Sequence, residues 1–87
     1  MFVILVYDVN VKRVGRVLKT ARKYLTWVQN SVLEGDISET NYKKLKTELL
    51  RIMKQDEDSF VFYTFQTQNY SKREEYGLKK GGEEQFL

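Results

Sequence analysis

The sequence predicts an α+β domain built on one antiparallel sheet, and three observations predict it. Residues 1–9 (Met-Phe-Val-Ile-Leu-Val-Tyr-Asp-Val) and 59–65 (Ser-Phe-Val-Phe-Tyr-Thr-Phe) are short runs with apolar side chains on both alternating faces. Residues 11–25 and 39–54 carry apolar side chains at helical spacing. Residues 26–35, between them, are strand formers interrupted by polar residues. With 87 residues there is room for one domain and one modest core.

The first run is short, and Val3, Ile4 and Val6 are β-branched, which favours a buried strand over a helix. Alternation puts Phe2, Ile4, Val6 and Asp8 on one face and Val3, Leu5, Tyr7 and Val9 on the other. Both faces need cover, and the carboxylate of Asp8 must sit near the strand end, find partners or hold a metal. Asn10 is a suitable N-cap for a helix over 11–25, whose core stripe is Val14, Leu18, Ala21 and Leu25 with Val17 beside it. On its opposite side Lys12, Arg16, Lys19 and Lys23 line up, flanked by Arg13 and Arg22, with no acidic residue among them. A solvated helix face usually mixes signs to form i,i+4 pairs, so a stripe of one sign points to phosphate contacts.

Residues 26–35 (Thr-Trp-Val-Gln-Asn-Ser-Val-Leu-Glu-Gly) fit one strand with a bulge or two short strands. Ser38 caps a second helix over 39–54 with Tyr42, Leu45, Leu49 and Ile52 as its core stripe, and 55–58 is a polar turn. The strand over 59–65 is expected to pair antiparallel with the first at the sheet centre. Residues 73–80 suggest a late strand around Tyr76 and Leu78, and 83–87 end in Phe86-Leu87. The order β-α-β-(β)-α-β predicts a ferredoxin-like βαββαβ sheet with both helices on one face and an extra C-terminal strand. Two helices cover one face only. The expectation is therefore a sheet-to-sheet homodimer of a single domain over 1–87, with about 66–87 docking on the partner subunit.

Composition narrows the chemistry. The chain has no cysteine and no histidine, which removes disulfides, thiolate or imidazole metal ligands and imidazole acid–base catalysis. Carboxylates, hydroxyls, Tyr, Lys and Arg remain, with a hard metal held through oxygen. The net charge of +3 is a weak pointer to an anionic partner. The longest apolar run is too short to span a membrane and lacks signal-peptide features, so the cytoplasm is expected.

Tyr7-Asp8-Val9, the basic helix containing Arg16, and Trp27-Val28-Gln29-Asn30-Ser31-Val32-Leu33-Glu34-Gly35 together resemble the small CRISPR-associated endonuclease family of the spacer-acquisition machinery. The tail from Glu75 through Gly77 to Phe86-Leu87 resembles that family's C-terminal strand, so the likeness covers essentially the whole chain. Leu33 stands where the family often has Phe, and Trp27 where a basic residue is common. The resemblance implies a homodimer in which Asp8 of each subunit approaches the two-fold axis and holds one divalent ion, Mg2+ or Mn2+. It also implies metal-dependent endonuclease activity on RNA or double-stranded DNA, and partnership with the CRISPR integrase subunit. Carried over by position, Asp8 is the metal ligand, Tyr7 and Arg16 are its catalytic neighbours, and Ser31 is a contact near the cleft.

These residue types permit hydrolysis of a phosphodiester by water that a divalent ion activates, with Arg16 or Arg13 taking up phosphoryl charge. Lys12, Arg13, Arg16, Lys19, Lys23 and Ser31 are the expected nucleic-acid contacts. Two other readings compete. Asp8 could serve only as a strand-end cap or a partner of Arg16, in a non-catalytic DNA-binding scaffold of the spacer-integration complex. A ligand-sensing dimer without nucleic acid would leave the basic stripe unexplained.

Overall fold

The computed structural model describes residues 1–67 and 70–78. Seven elements follow one another: β1 (Phe2–Asp8), α1 (Val11–Ala21), β2 (Thr26–Gln29), β3 (Val32–Asp36), α2 (Glu39–Ile52), β4 (Ser59–Thr67) and β5 (Tyr70–Gly77). The strands form one antiparallel sheet in the order β2-β3-β1-β4-β5. The expected α+β architecture is therefore present, with β1 and β4 paired antiparallel at the centre.

Alternation along β1 and β4 decides what faces the helices. Val3, Leu5 and Tyr7 join Phe60 and Phe62 in one buried cluster with Val17 and Ala21 of α1, Leu33 of β3 and Tyr42, Leu45 and Leu49 of α2. Phe62 and Tyr42 meet edge to face at 5.5 Å between ring centroids, a favourable aromatic arrangement at the α2–sheet contact. The other face carries Phe2 opposite Phe65, Ile4 opposite Tyr63 and Val6 opposite Val61. Phe2 and Phe65 are each 37% exposed, so this face keeps an apolar band that the helices do not cover.

Local sequence explains the boundaries. Asn10 caps α1, its side chain accepting from the Lys12 N–H at 2.9 Å, and Ser38 caps α2 by accepting from Asn41 at 3.1 Å. The first helix stops at Ala21, four residues short of the predicted end. The N–H groups of both Tyr24 and Leu25 return to the Ala21 carbonyl, a turn that still buries Leu25 while freeing Thr26 to begin β2. Residues 26–35 form two short strands, with a register irregularity between Trp27 and Gln29. The second helix ends at Ile52, and Met53 leaves in extended conformation to take a core position.

The late strand begins three residues earlier than its sequence suggests and pairs with β4 of its own chain, Phe60 opposite Tyr76 and Phe62 opposite Glu74. The expected apolar end at Phe86-Leu87 lies outside the described residues. Among the described residues no helix is long and apolar enough to cross a membrane.

Candidate active site

The end of β1 separates its two candidate residues. Tyr7 points into the helix layer, where it is 4% exposed and its hydroxyl donates to the Asn30 carbonyl at 3.2 Å. Burial pushes its phenol pKa up, so it stays a neutral donor at physiological pH. Asp8, one residue on, lies on the uncovered face at an exposed position opposite Ser59 of β4. The Ser31 carbonyl accepts the Tyr7 backbone N–H at 3.0 Å, which holds the β2–β3 turn against the strand end. The structure thus brings Asp8, Tyr7 and Ser31 to one end of the sheet but sends the Tyr7 hydroxyl and the Asp8 carboxylate to opposite faces.

The six cations after Asn10 divide into two groups. Lys12, Arg16 and Lys19 are exposed on α1, and among the described residues no acidic side chain pairs with them. Arg13 instead turns inward, donating to Glu57 at 2.7 Å and to both oxygens of Asp58 at 2.7 and 3.0 Å. Lys23 pairs with Glu48 of α2 at 2.5 Å, and Glu48 also accepts from the Tyr24 hydroxyl. Lys23 lowers the Glu48 pKa through that bond, which keeps the pair charged. Arg22 lies over the Trp27 ring, 5.8 Å from its centroid. Among the described residues the cations without an acidic partner are therefore Lys12, Arg16 and Lys19 on α1, with Arg22 just after it against the Trp27 ring.

Asp58 is the site-organising residue that sequence reasoning missed. It is fully buried, and besides Arg13 it accepts the backbone N–H of Asn10 at 2.8 Å and of Lys54 at 2.9 Å. Arg13 holds its carboxyl down to about 2, with both backbone donors helping, against the upward push of burial. Its carbonyl accepts the Leu78 N–H at 2.7 Å. One residue thereby joins the start of α1 and the turn after α2 through its side chain and the end of β5 through its carbonyl, immediately beside the Ser59–Asp8 pair. The available signal was the last of three consecutive acidic residues, Asp56, Glu57 and Asp58, set directly before a strand that is apolar on both faces.

Glu74 shows the same economy on the helix side of β5. Burial pushes its pKa up, but hydrogen bonds from Tyr42, Tyr76 and Lys46 outweigh this, so it remains ionised. Among the described residues no three acidic side chains gather as a ready-made metal site.

The fold, the Tyr7-Asp8 strand end and the basic helix can now be set beside known proteins. The family model for CRISPR associated protein Cas2 matches residues 1–73. The chain belongs to the Cas2 family. It is 52% identical over 87 residues to the CRISPR-associated endoribonuclease Cas2 of Dictyoglomus turgidum, covering all of both chains. It is 54% identical over 81 residues to the CRISPR-associated endoribonuclease Cas2 of Thermotoga maritima, covering 93% of each. Among solved structures, a Cas2 crystal structure superposes with a TM-score of 0.74 at 50% identity, covering 80% of this chain and 79% of the other. Streptococcus pyogenes Cas2 at pH 6.5 gives a TM-score of 0.70 at 33% identity, covering 79% and 89%. Within this Cas2 fold, Asp8 ends the central strand on the uncovered face, and Arg16 stands on α1 in the helix layer.

Proposed function

We propose that this Cas2 chain is a metal-dependent endonuclease acting as a homodimer on the phosphodiester backbone of RNA, with duplex DNA as a second substrate. The observation that carries the reading is the position of Asp8: an exposed carboxylate at the end of the central strand, on the apolar face that the helices leave open. Apposition of two such faces would bury the band formed by Phe2, Ile4, Val6, Val61, Tyr63 and Phe65 and bring two Asp8 carboxylates toward one axis. The endoribonuclease names of the relatives from Dictyoglomus turgidum and Thermotoga maritima support RNA as the first substrate to test.

The donor set fits a hard divalent cation. Asp8 offers carboxylate oxygen, the chain has neither thiol nor imidazole to attract a softer metal, and Mg2+ is commonly held by one or two carboxylates while keeping several waters. When bound, such an ion neutralises phosphoryl charge and lowers the pKa of water to a useful range. Asp8 would hold such an ion. Arg16, exposed and without an acidic partner among the described residues, takes charge on a non-bridging phosphate oxygen. Lys12 and Lys19 hold flanking phosphates. Tyr7 acts from behind the sheet: its bond to Asn30 fixes the β2–β3 turn, and with it Ser31, at the Asp8 end. The exposed face of α1, with Lys12, Arg16 and Lys19, presents the backbone of DNA to the CRISPR integrase subunit, which is the partner this reading assigns.

The test is cleavage of labelled RNA and duplex DNA with and without Mg2+ or Mn2+, beside Asp8→Asn. Asparagine preserves size and hydrogen bonding but lacks the charge that holds a hard cation. Cleavage should require metal and fall by roughly 100-fold or more in the variant, the scale of losing one preorganised electrostatic group. Duplex binding should persist. If Asp8→Asn cleaves at the parent rate, the catalytic role of Asp8 is wrong. If the parent never cleaves but binds duplex DNA together with the integrase, the protein is a scaffold.

A further inference from the structure

Trp27 is anchored on the same Asn30 carbonyl that accepts the Tyr7 hydroxyl, and three features prepare it for a ligand. It sits on β2, the edge strand, at the register irregularity between Trp27 and Gln29, the kind of bulge that re-aims a side chain. The residue is 46% exposed, and neighbouring Val28 is 49% exposed. Yet the ring is held: its Nε1–H donates to the Asn30 carbonyl at 3.1 Å, and the Arg22 guanidinium lies 5.8 Å from its centroid. An indole fixed at its N–H and flanked by a cation presents an aromatic surface with little rotamer entropy left to lose.

The surroundings supply the charge. Arg22 also lines a hollow of about 340 Å³ on α1, together with Gly15, Leu18 and Lys19. A Cβ placed on Gly15 would meet nothing within 4 Å, so no packing inside the chain requires glycine there. Glycine in a helix interior costs roughly 0.5–1 kcal/mol relative to alanine, and one use of it is to let a ligand approach the backbone. Lys19 and Arg22 have no acidic partner among the described residues. Aromatic stacking beside a cationic groove is how proteins bind unpaired strands, because stacking needs an exposed base face and phosphates need positive charge.

We infer that Trp27, Arg22 and Lys19 form a stacking platform for an unpaired nucleobase, the base resting on the part of the Trp27 ring that Arg22 leaves open and the adjoining phosphates on Lys19 and Arg22. A base inside a duplex has both faces occupied by its neighbours and cannot use the platform. The site therefore discriminates unpaired from paired strands, which the phosphate contacts of α1 alone do not do. This deepens the proposed nucleic-acid reading and rests on it for the identity of the ligand, but it does not require Asp8 to be catalytic.

Trp27 is the only tryptophan, so intrinsic fluorescence reports on the platform directly. Oligo(U), oligo(dT) and a blunt duplex of the same length would be titrated into the full chain without divalent metal, with binding followed separately by anisotropy of a labelled strand. Saturating single strands should quench Trp27, and the duplex should bind without quenching. Trp27→Leu should weaken single-strand binding about 5- to 100-fold, the range for one base–aromatic stack, and leave duplex affinity unchanged. Trp27→Phe should restore part of the loss, which separates stacking from misfolding. Quenching by oligo(U) alone or oligo(dT) alone would assign the site to RNA or to DNA. Unmoved fluorescence with a strand bound, equal quenching by the duplex, or unchanged single-strand affinity in Trp27→Leu would each overturn the inference. Asp8→Asn should quench like the parent: if cleavage then proves independent of Asp8, the nuclease reading falls and the platform stands. Asp8-dependent cleavage without any Trp27 response removes the platform alone.

Discussion

Arg13 grips Asp58 at two points, its Nε donating to Oδ2 at 2.7 Å and its Nη2 to Oδ1 at 3.0 Å. The fork links the first turn of α1 to a buried carboxylate 45 residues away. Its consequence for function is subtraction. Of the two guanidiniums on α1, that of Arg13 is already satisfied inside the protein, and that of Arg16 is left exposed.

Removing the Asp58 carboxylate should therefore act on stability more than on nucleic-acid affinity. Asp58→Ala leaves Arg13 and the Asn10 and Lys54 N–H groups without their acceptor, and loss of one partner of a buried pair costs about 3–5 kcal/mol. Asp58→Asn should cost less because its amide oxygen still accepts. The acid limb carries the same information. A folded-state pKa lowered from 3.8 to about 2 contributes stability that is complete above the unfolded value and lost as pH falls through the folded one. Thermal unfolding followed downward from pH 5 should show the parent losing stability between roughly pH 4 and 2 more steeply than Asp58→Asn. Parallel acid limbs would remove Asp58 as a source of acid sensitivity.

Gly77 closes the same knot. Its φ is 95°, and a Cβ there would stand 2.1 Å from the Asp58 carbonyl oxygen and 2.4 Å from Cε of Met53. Gly77→Ala should destabilise by about 2 kcal/mol or more, combining a left-handed backbone with a clash against main chain. Urea unfolding measures it directly, and an unchanged midpoint would mean that β5 ends differently in solution.

The free cations of α1 and the paired Lys23 just after it should be separable by salt. Lys12→Gln and Lys19→Gln together should reduce the slope of log K against log salt for duplex DNA by roughly 1.8, about 0.9 per lost phosphate contact. Lys23→Gln should leave the slope unchanged, because Glu48 already neutralises that charge. Equal effects at Lys19 and Lys23 would show that nucleic acid draws Lys23 away from Glu48.

Val6 sits in the middle of the uncovered band, opposite Val61. In a sheet-to-sheet dimer, Val6→Lys would place a charge in the centre of the interface and should weaken association at least about 30-fold, the scale of a central hot spot. Sedimentation of the parent and the variant at micromolar concentration checks this. A monomeric, folded parent would remove the dimer and the shared Asp8 site together.

Most of the fold was legible in the chain because strand alternation and helical periodicity are short-range signals. The runs that became β1 and β4, the caps Asn10 and Ser38, and the core stripes containing Ala21 and Leu49 are all read from neighbours within a few residues. The candidate carboxylate was legible for the same reason, since Asp8 interrupts an apolar run at its end. The sequence by itself thus determined the order of elements, the need for a second cover on the sheet, and one carboxylate beside a basic helix. Only the tertiary structure decided that Tyr7 faces the core and Asp8 the open side, because both faces of β1 are apolar and hydrophobicity alone cannot choose between them. Only it decided which cations are spent. Arg13 is neutralised by Asp58 and Lys23 by Glu48, partners 45 and 25 residues away. Charge pairing depends on distance through space, and a linear pattern of like charges does not contain that distance.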